Sequence, residues 1–225
     1  MTLAADALLL AGKDLRVEGR SRAALAATMT LGAAALVMVG LAAGPDLAQL
    51  RSLAPALTAI AVLFASLVMA DRLDAIDREN QALDGLWLCL ADRRAVYLGK
   101  VVALTALLSG LTLALWAVAL VLLDVAGGPA LAGLAPLVVV ASASAASATA
   151  LVAAMVGSGE QRALLLPVLL LPMLVPTMLA SVNGSRALIE SDLPSAVGWV
   201  AVLAAESALF VGLGLLAYET VAAPE

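Results

Sequence analysis

The apolar positions of this chain run in long unbroken stretches, with neither the period-two alternation of a half-buried strand nor the single stripe of a soluble amphipathic helix. Six such stretches stand out, at residues 23–43, 53–70, 101–123, 131–156, 163–182 and 196–218. A helix needs about 20 apolar residues to cross the roughly 30 Å hydrocarbon core of a bilayer, so each stretch predicts a membrane span. The first, also about 21 residues long, exceeds the usual 7–15-residue core of a secretory signal and is expected to be a permanent span. Between the stretches the polar residues cluster, and their charges give an orientation. Lys13, Arg16, Arg20, Arg22, Arg72, Arg78, Arg93, Arg94, Lys100 and Arg162 fall on one side of a six-span layout, Arg51 and Arg186 on the other. By the positive-inside rule both termini are expected in the cytoplasm.

Three segments depart from the pattern of plain spans. Residues 1–22 form a candidate interfacial segment. On a helical wheel Asp6, Lys13, Arg16 and Arg20 gather on one side and Leu3, Leu8, Leu10 and Leu15 on the other, so the segment is expected to lie along the inner surface; Leu9 in the polar stripe and two glycines leave a solvated N-terminal extension as the alternative. Residues 71–100 make the longest connection, rich in acidic residues, with Leu73, Ile76, Asn80, Leu83, Trp87 and Leu90 spaced by threes and fours. A helix there would show one mostly apolar stripe in need of a surface to pack on, either its own bundle, the lipid surface or a cytoplasmic partner. For a partner, Asp77, Glu79 and Asp84 would orient at the rim while Leu83, Leu86 and Trp87 would be the buried anchors. The third is the fifth stretch, where Pro167, Pro172 and Pro176 interrupt an apolar run. Each proline removes a backbone donor and crowds the carbonyl four residues earlier, so this helix is expected either to be kinked or broken and to face protein or a cavity, or to carry prolines that only shape its packing, as is common in membrane helices.

Two further features concern the bundle interior. Residues 141–150, ASASAASATA, offer small side chains and the hydroxyls of Ser142, Ser144, Ser147 and Thr149, the composition of a close helix–helix contact. Gly40 and Gly44 add a weaker signal of the same kind. Glu206 lies about ten residues into the sixth stretch, where a carboxyl group needs a polar neighbour; it is either a polar point on a translocation path or a packing residue tied to hydroxyls.

Composition agrees with a bilayer protein and narrows its chemistry. Of 225 residues 64% are hydrophobic and 13% charged, against roughly 45–50% and 25% in soluble domains. The domain expected is 23–225, six spans with a cytoplasmic coupling segment at 71–100. The net charge of −5, without a basic stripe, argues against nucleic acid as a partner. One cysteine, Cys89, and no histidine leave no material for a disulfide, a His-ligated metal or a Ser-His centre. Neither lysine ends a Walker A run, so no enzyme activity is expected and any ATP would be hydrolysed by a partner.

DRLDAIDRENQALDGLWL after the second stretch, LLLPMLVPTML in the fifth and KDLRVEGRSR near the N-terminus together resemble the haem exporter permease of cytochrome c maturation, the B protein, over essentially the whole chain. The resemblance implies an all-α integral membrane protein with the bundle of a type-2 ABC exporter permease, resident in the cytoplasmic (inner) membrane. It implies as partners a cytoplasmic ATP-binding cassette subunit and haem-handling membrane subunits, with two copies of this chain expected. ATPase coupling would then run through Asp77, Glu79, Leu83, Asp84, Leu86 and Trp87, and movement or passage through Pro167, Pro172, Pro176 and Glu206. Haem would be a handled ligand, with no cofactor bound directly, since Met and Tyr are the only weak iron ligands this chain offers. A type-2 permease for a lipid, drug or glycan precursor would share the architecture, and a non-transporting scaffold of a haem-delivery complex remains the alternative of a different class.

Overall fold

The computed structural model describes residues 3–21, 23–42, 47–79, 93–123, 129–156 and 161–221. Among these residues every regular element is helical: α1 (Leu3–Ser21), α2 (Ala23–Ala42), α3 (Leu47–Glu79), α4 (Arg93–Leu122), a 3₁₀ turn (Pro129–Gly133) leading into α5 (Leu134–Val156), α6 (Arg162–Ile189) and α7 (Leu193–Val221). Within them, Arg51–Ala70, Arg94–Leu122, Leu131–Val156, Leu164–Ile189 and Leu193–Tyr218 are long and apolar enough to cross a bilayer. The first expected span is different: in α2 the apolar stretch Ala26–Met38 falls in a shorter class of 10–17 residues. The chain is thus an all-helical, multi-pass membrane protein.

Helices outrun the apolar stretches at several ends, because backbone hydrogen bonding continues wherever residues favour helix even after the side chains turn polar. The 33-residue α3 is about 50 Å long, more than the hydrocarbon thickness, and carries its last turns, including Asp77 and Glu79, beyond the apolar stretch. Residues 71–79 and 93–100, expected as parts of one long connection, are therefore the ends of α3 and α4.

α5 is the hub of the bundle and packs against α3, α4, α6 and α7. In its apolar window 78% of residues are buried, against 17% for α7, so α7 presents most of its circumference outward. Small residues explain the central place of α5. Ser144, Ala145, Ala146, Ser147, Ala148 and Thr149 are all fully enclosed, which lets four neighbouring backbones come close. α1 packs along the start of α4, where Gly99 permits contact: a Cβ there would meet the Ala7 carbonyl at 3.0 Å and Leu10 still closer. Its buried stripe is Ala7 and Ala11, while Leu8 and Leu9 point outward. Of the expected leucine face, Leu3 and Leu8 are exposed while Leu10 and Leu15 are half-buried, so Ala7 and Ala11 together with Leu10, which lies against Gly99, seat α1 on the bundle.

α6 ends and α7 begins in a tight turn. Ser191 adopts φ 62°, and the N–H groups of Ser191 and Asp192 donate to the carbonyls of Leu188 and Ala187, the paired bonds of a Schellman ending. Asp192 then caps α7, its Oδ1 accepting from the N–H of Ser195 at 3.2 Å. Side-chain and backbone hydrogen bonds from Ser195 hold the Asp192 carboxyl below its ordinary range. A carboxyl depressed in the folded state stabilises above its unfolded pKa, and that contribution disappears as the pH falls through the folded value. Asp192→Ala is accordingly expected to lower stability at neutral pH, with the difference from the native chain vanishing on acidification. Thermal unfolding in detergent at several pH values measures this, and a difference constant with pH would rule out the cap.

Candidate functional site

The residues with chemical potential lie along α5, facing its neighbours at three levels. At the middle level Ser144 and Thr177, the latter on α6, place their hydroxyl oxygens 3.2 Å apart. Glu206, on α7, faces the same point, with both hydroxyls close enough to interact with its carboxyl group. Its Oε2 is buried and makes no hydrogen bond. A carboxyl, two hydroxyls and one open acceptor position form a compact polar node between three helices in an otherwise apolar layer. The expected polar neighbour of Glu206 is therefore present, and it comes from the small-residue stretch of α5.

Thr177 stands beside Pro176, and this adjacency corrects the expectation for the proline helix. α6 is uninterrupted from Arg162 to Ile189 with all three prolines inside it. Pro172 and Pro176 are exposed and Pro167 is half-buried, on the face that also exposes Leu164, Val168, Leu171, Val175 and Leu179. The opposite face carries the buried Leu166, Leu170, Leu174 and Thr177. The helix is not broken and its two central prolines do not face the protein interior of this chain. A proline costs only its own N–H bond and some crowding, which the packed inner face can offset.

Toward the end where α6 finishes, a small cavity of about 10 Å³ opens between α3, α4, α5 and α6. Thr58, Thr112, Ser142 and Ser181, one from each helix, line it together with Trp116, Met178 and other apolar side chains. Its size is about that of one water-sized probe, and the hydroxyls of Thr58 and Thr112 already donate to carbonyls of their own helices. Ser181 lies one turn beyond Thr177 on α6, whereas Ser142 and Ser144, two residues apart, stand on different faces of α5, so the cavity and the carboxyl node are separate polar sites.

At the other end two buried side chains lock the helices. Tyr97, fully enclosed on α4, places its hydroxyl 3.2 Å from the carbonyl oxygen of Ser147 on α5 and 3.0 Å from that of Phe210 on α7, sharing its proton between them. Its ring occupies the space left by Gly214 on α7 and stacks obliquely on Tyr218, centroids 5.2 Å apart. Arg162, at the start of α6, is 7% exposed and donates from Nη1 to the carbonyl of Ala153 on α5 at 3.2 Å and from Nη2 to that of Ala70 on α3 at 3.0 Å. Lys100, three residues after Tyr97 on α4, is buried and is also engaged within the protein.

Tyr97 and Arg162 were not singled out from sequence. One signal was available: a tyrosine inside an apolar helix of a chain with only two. Arg162 reads from sequence only as one more positive charge. Of the expected coupling residues, Asp77 and Glu79 sit in the last turns of α3, while Leu83, Asp84, Leu86 and Trp87 lie outside the described residues, as do Gly44 and Cys89. Among the described residues no group of three or more His, Cys, Asp or Glu side chains is assembled that could hold a metal ion.

Residues 5–223 match the family model described as CcmB protein. No curated relative matches the chain.

Proposed function

Because the chain belongs to the CcmB family, the haem exporter permeases of cytochrome c maturation, we propose that it couples a cytoplasmic ATP-binding cassette subunit to the haem-handling membrane subunits of that pathway. As a family member it is a membrane component of haem export in cytochrome c biogenesis and works in a complex with other proteins of that system. Beyond that, we read it as a six-span protein of the inner membrane, with α2 as the first span, both termini cytoplasmic and a type-2 exporter arrangement. The ten-to-two distribution of basic residues supports this orientation.

The observation that carries the coupling reading is the linkage of the two helices that flank segment 80–92. The Ala70 end of the α3 span is tied through Arg162 to α5, and the first turns of α4 are tied through Tyr97 to α5 and α7. A displacement of Asp77, Glu79, Leu83, Asp84, Leu86 and Trp87 by an ATPase would therefore reach the hub helix through two buried polar contacts. From there it would reach the node of Ser144, Thr177 and Glu206. Coupling of this kind requires contacts that differ between two states, and a shared hydroxyl–carboxyl node is an element able to repartner. The outward prolines support further subunits in the membrane. Pro172 and Pro176 leave the carbonyls of Val168 and Pro172 without their usual helical donors, a cost that a second copy or a neighbouring subunit would reduce by covering that face. Haem is the handled ligand on this reading, with its iron ligands supplied by partners, since this chain has no histidine.

Charge reversal at Glu79→Lys with Asp84→Lys is expected to abolish copurification of the ATPase while the permease still inserts. Cells lacking the gene are expected to lose haem-stained c-type cytochromes, with rescue by the intact chain and not by the double variant. Undiminished copurification and rescue would overturn the coupling assignment; normal cytochrome c without the gene or any paralogue would overturn the assignment of substrate.

A further inference from the structure

At the end of the bundle where α3 begins and α6 finishes, a pocket of about 400 Å³ is lined by Arg51, Ser52, Arg186, Ile189 and Glu190. Arg186 taken alone has a simple explanation, since a cation in the last turn of a helix meets the negative end of its dipole. Arg51, which is engaged within the protein, comes from another helix to the wall of the same pocket. Two guanidinium groups brought to one pocket repel each other, and of the lining residues Glu190 alone carries a negative charge. The convergence is favourable when an anion with several oxygens bridges the pair, because each guanidinium offers a planar fork of donors to such an oxyanion. Arg51 and Ser52 are already engaged within the protein, but a guanidinium has five N–H donors, so one interaction leaves others for a ligand.

Depth in the membrane identifies the ligand. Arg51 is the first residue of the apolar stretch Arg51–Ala70 and Arg186 lies within the last turn of Leu164–Ile189; with these stretches as spans, both fall at the boundary between hydrocarbon and headgroups. The side chains lining the pocket combine cations, a hydroxyl and the aliphatic Ile189, which suits a molecule with a phosphate above and an apolar portion below. We propose that this pocket is a phosphate-binding site occupied by the headgroup of an anionic phospholipid, held by Arg51 and Arg186 with Ser52 as a further donor and Glu190 as the internal competitor for the arginines. The site is independent of the transport reading and would anchor the α3 and α6 ends together, on the outer side in the topology proposed above.

The test uses the full chain reconstituted in nanodiscs of phosphatidylcholine with and without phosphatidylglycerol, with retained lipid measured by mass spectrometry after extraction and thermal unfolding recorded in parallel. The native chain is expected to enrich phosphatidylglycerol and to be stabilised by it. Arg51→Gln with Arg186→Gln should reduce retention about tenfold or more while unfolding in pure phosphatidylcholine stays native-like. Glu190→Gln should raise retention, because it removes the competing carboxylate. Equal retention by the native chain and the arginine variant, or equal stabilisation by the two lipids, would overturn the site. Should the arginine variant fail to fold, Glu190→Gln decides: unchanged retention overturns the proposal. Inorganic phosphate is the third arm. If it stabilises the protein in pure phosphatidylcholine, in an arginine-dependent way and without any enrichment of phosphatidylglycerol, the oxyanion site stands and the lipid source is overturned.

Discussion

Tyr97→Ala is expected to be among the most damaging single substitutions in this bundle, lowering stability by about 3–5 kcal/mol, the range for truncating a large aromatic in a packed core. The side chain is fully enclosed, and its hydroxyl ties α4 to α5 and α7 at the carbonyls of Ser147 and Phe210. Tyr97→Phe keeps the ring and loses only the hydroxyl contacts, so it should cost about 0.6–1.7 kcal/mol, the measured scale of interhelical hydrogen bonds in membranes. The reciprocal change is Gly214→Ala, whose new Cβ would run into the Tyr97 ring. Overpacking of that kind costs about 1–3 kcal/mol, because the hydroxyl contacts prevent the ring from swinging away. Combining Gly214→Ala with Tyr97→Ala should then cost little more than Tyr97→Ala alone, a strong departure from additivity. Denaturation of the four proteins in mixed micelles measures the cycle. Simple additivity would show that the ring and the glycine do not share that space.

The second large effect concerns the polar node. Ser144→Ala with Thr177→Val removes both hydroxyls that face Glu206 and is expected to cost about 2–3 kcal/mol, the penalty for leaving a buried acceptor unsatisfied. Adding Glu206→Leu to that pair should restore most of the loss, because an all-apolar layer has nothing left to satisfy. A triple variant less stable than the double would contradict the node. Glu206→Gln separates hydrogen bonding from charge. Its amide can still bond both hydroxyls, so native-like stability and normal cytochrome c maturation are the expected outcome. Loss of maturation by a stably inserted Glu206→Gln would place an ionisable group, rather than a polar one, in the transport cycle.

The two predictions differ in how far the sequence led to them. Glu206 is conspicuous in a linear reading because a carboxyl inside an apolar stretch is costly wherever it points. The hydroxyls of 141–150 were also in view, but nothing along the chain said that Ser144 rather than Ser142 or Ser147 would meet it, and Thr177 on α6 carried no signal of its own. Tyr97 was passed over. An aromatic near a helix end commonly marks the interface, and only the crossing of three helices turns it into a buried lock. For the prolines, the effect on their own backbone is readable, whereas the face they occupy depends on how α6 is rotated against α5. Leu166, Leu170, Leu174 and Thr177 claimed the inner face, so Pro172 and Pro176 were left outside.

By itself the sequence determined that this protein is a multi-pass helical membrane protein, roughly where its apolar helices run, that α5 is a close-packing helix, and which family it belongs to. These follow from constraints that act along the chain: a bilayer demands contiguous apolar residues with every backbone group bonded within its own helix, and small residues are needed wherever backbones approach. Only the tertiary structure decided which groups meet: Glu206 with Ser144 and Thr177, Tyr97 with two carbonyls beside Gly214, Arg162 with Ala70 and Ala153, and Arg51 with Arg186 at one pocket. Those meetings depend on the rotation and crossing of whole helices, quantities set by the summed packing of many side chains and written in no single stretch of residues.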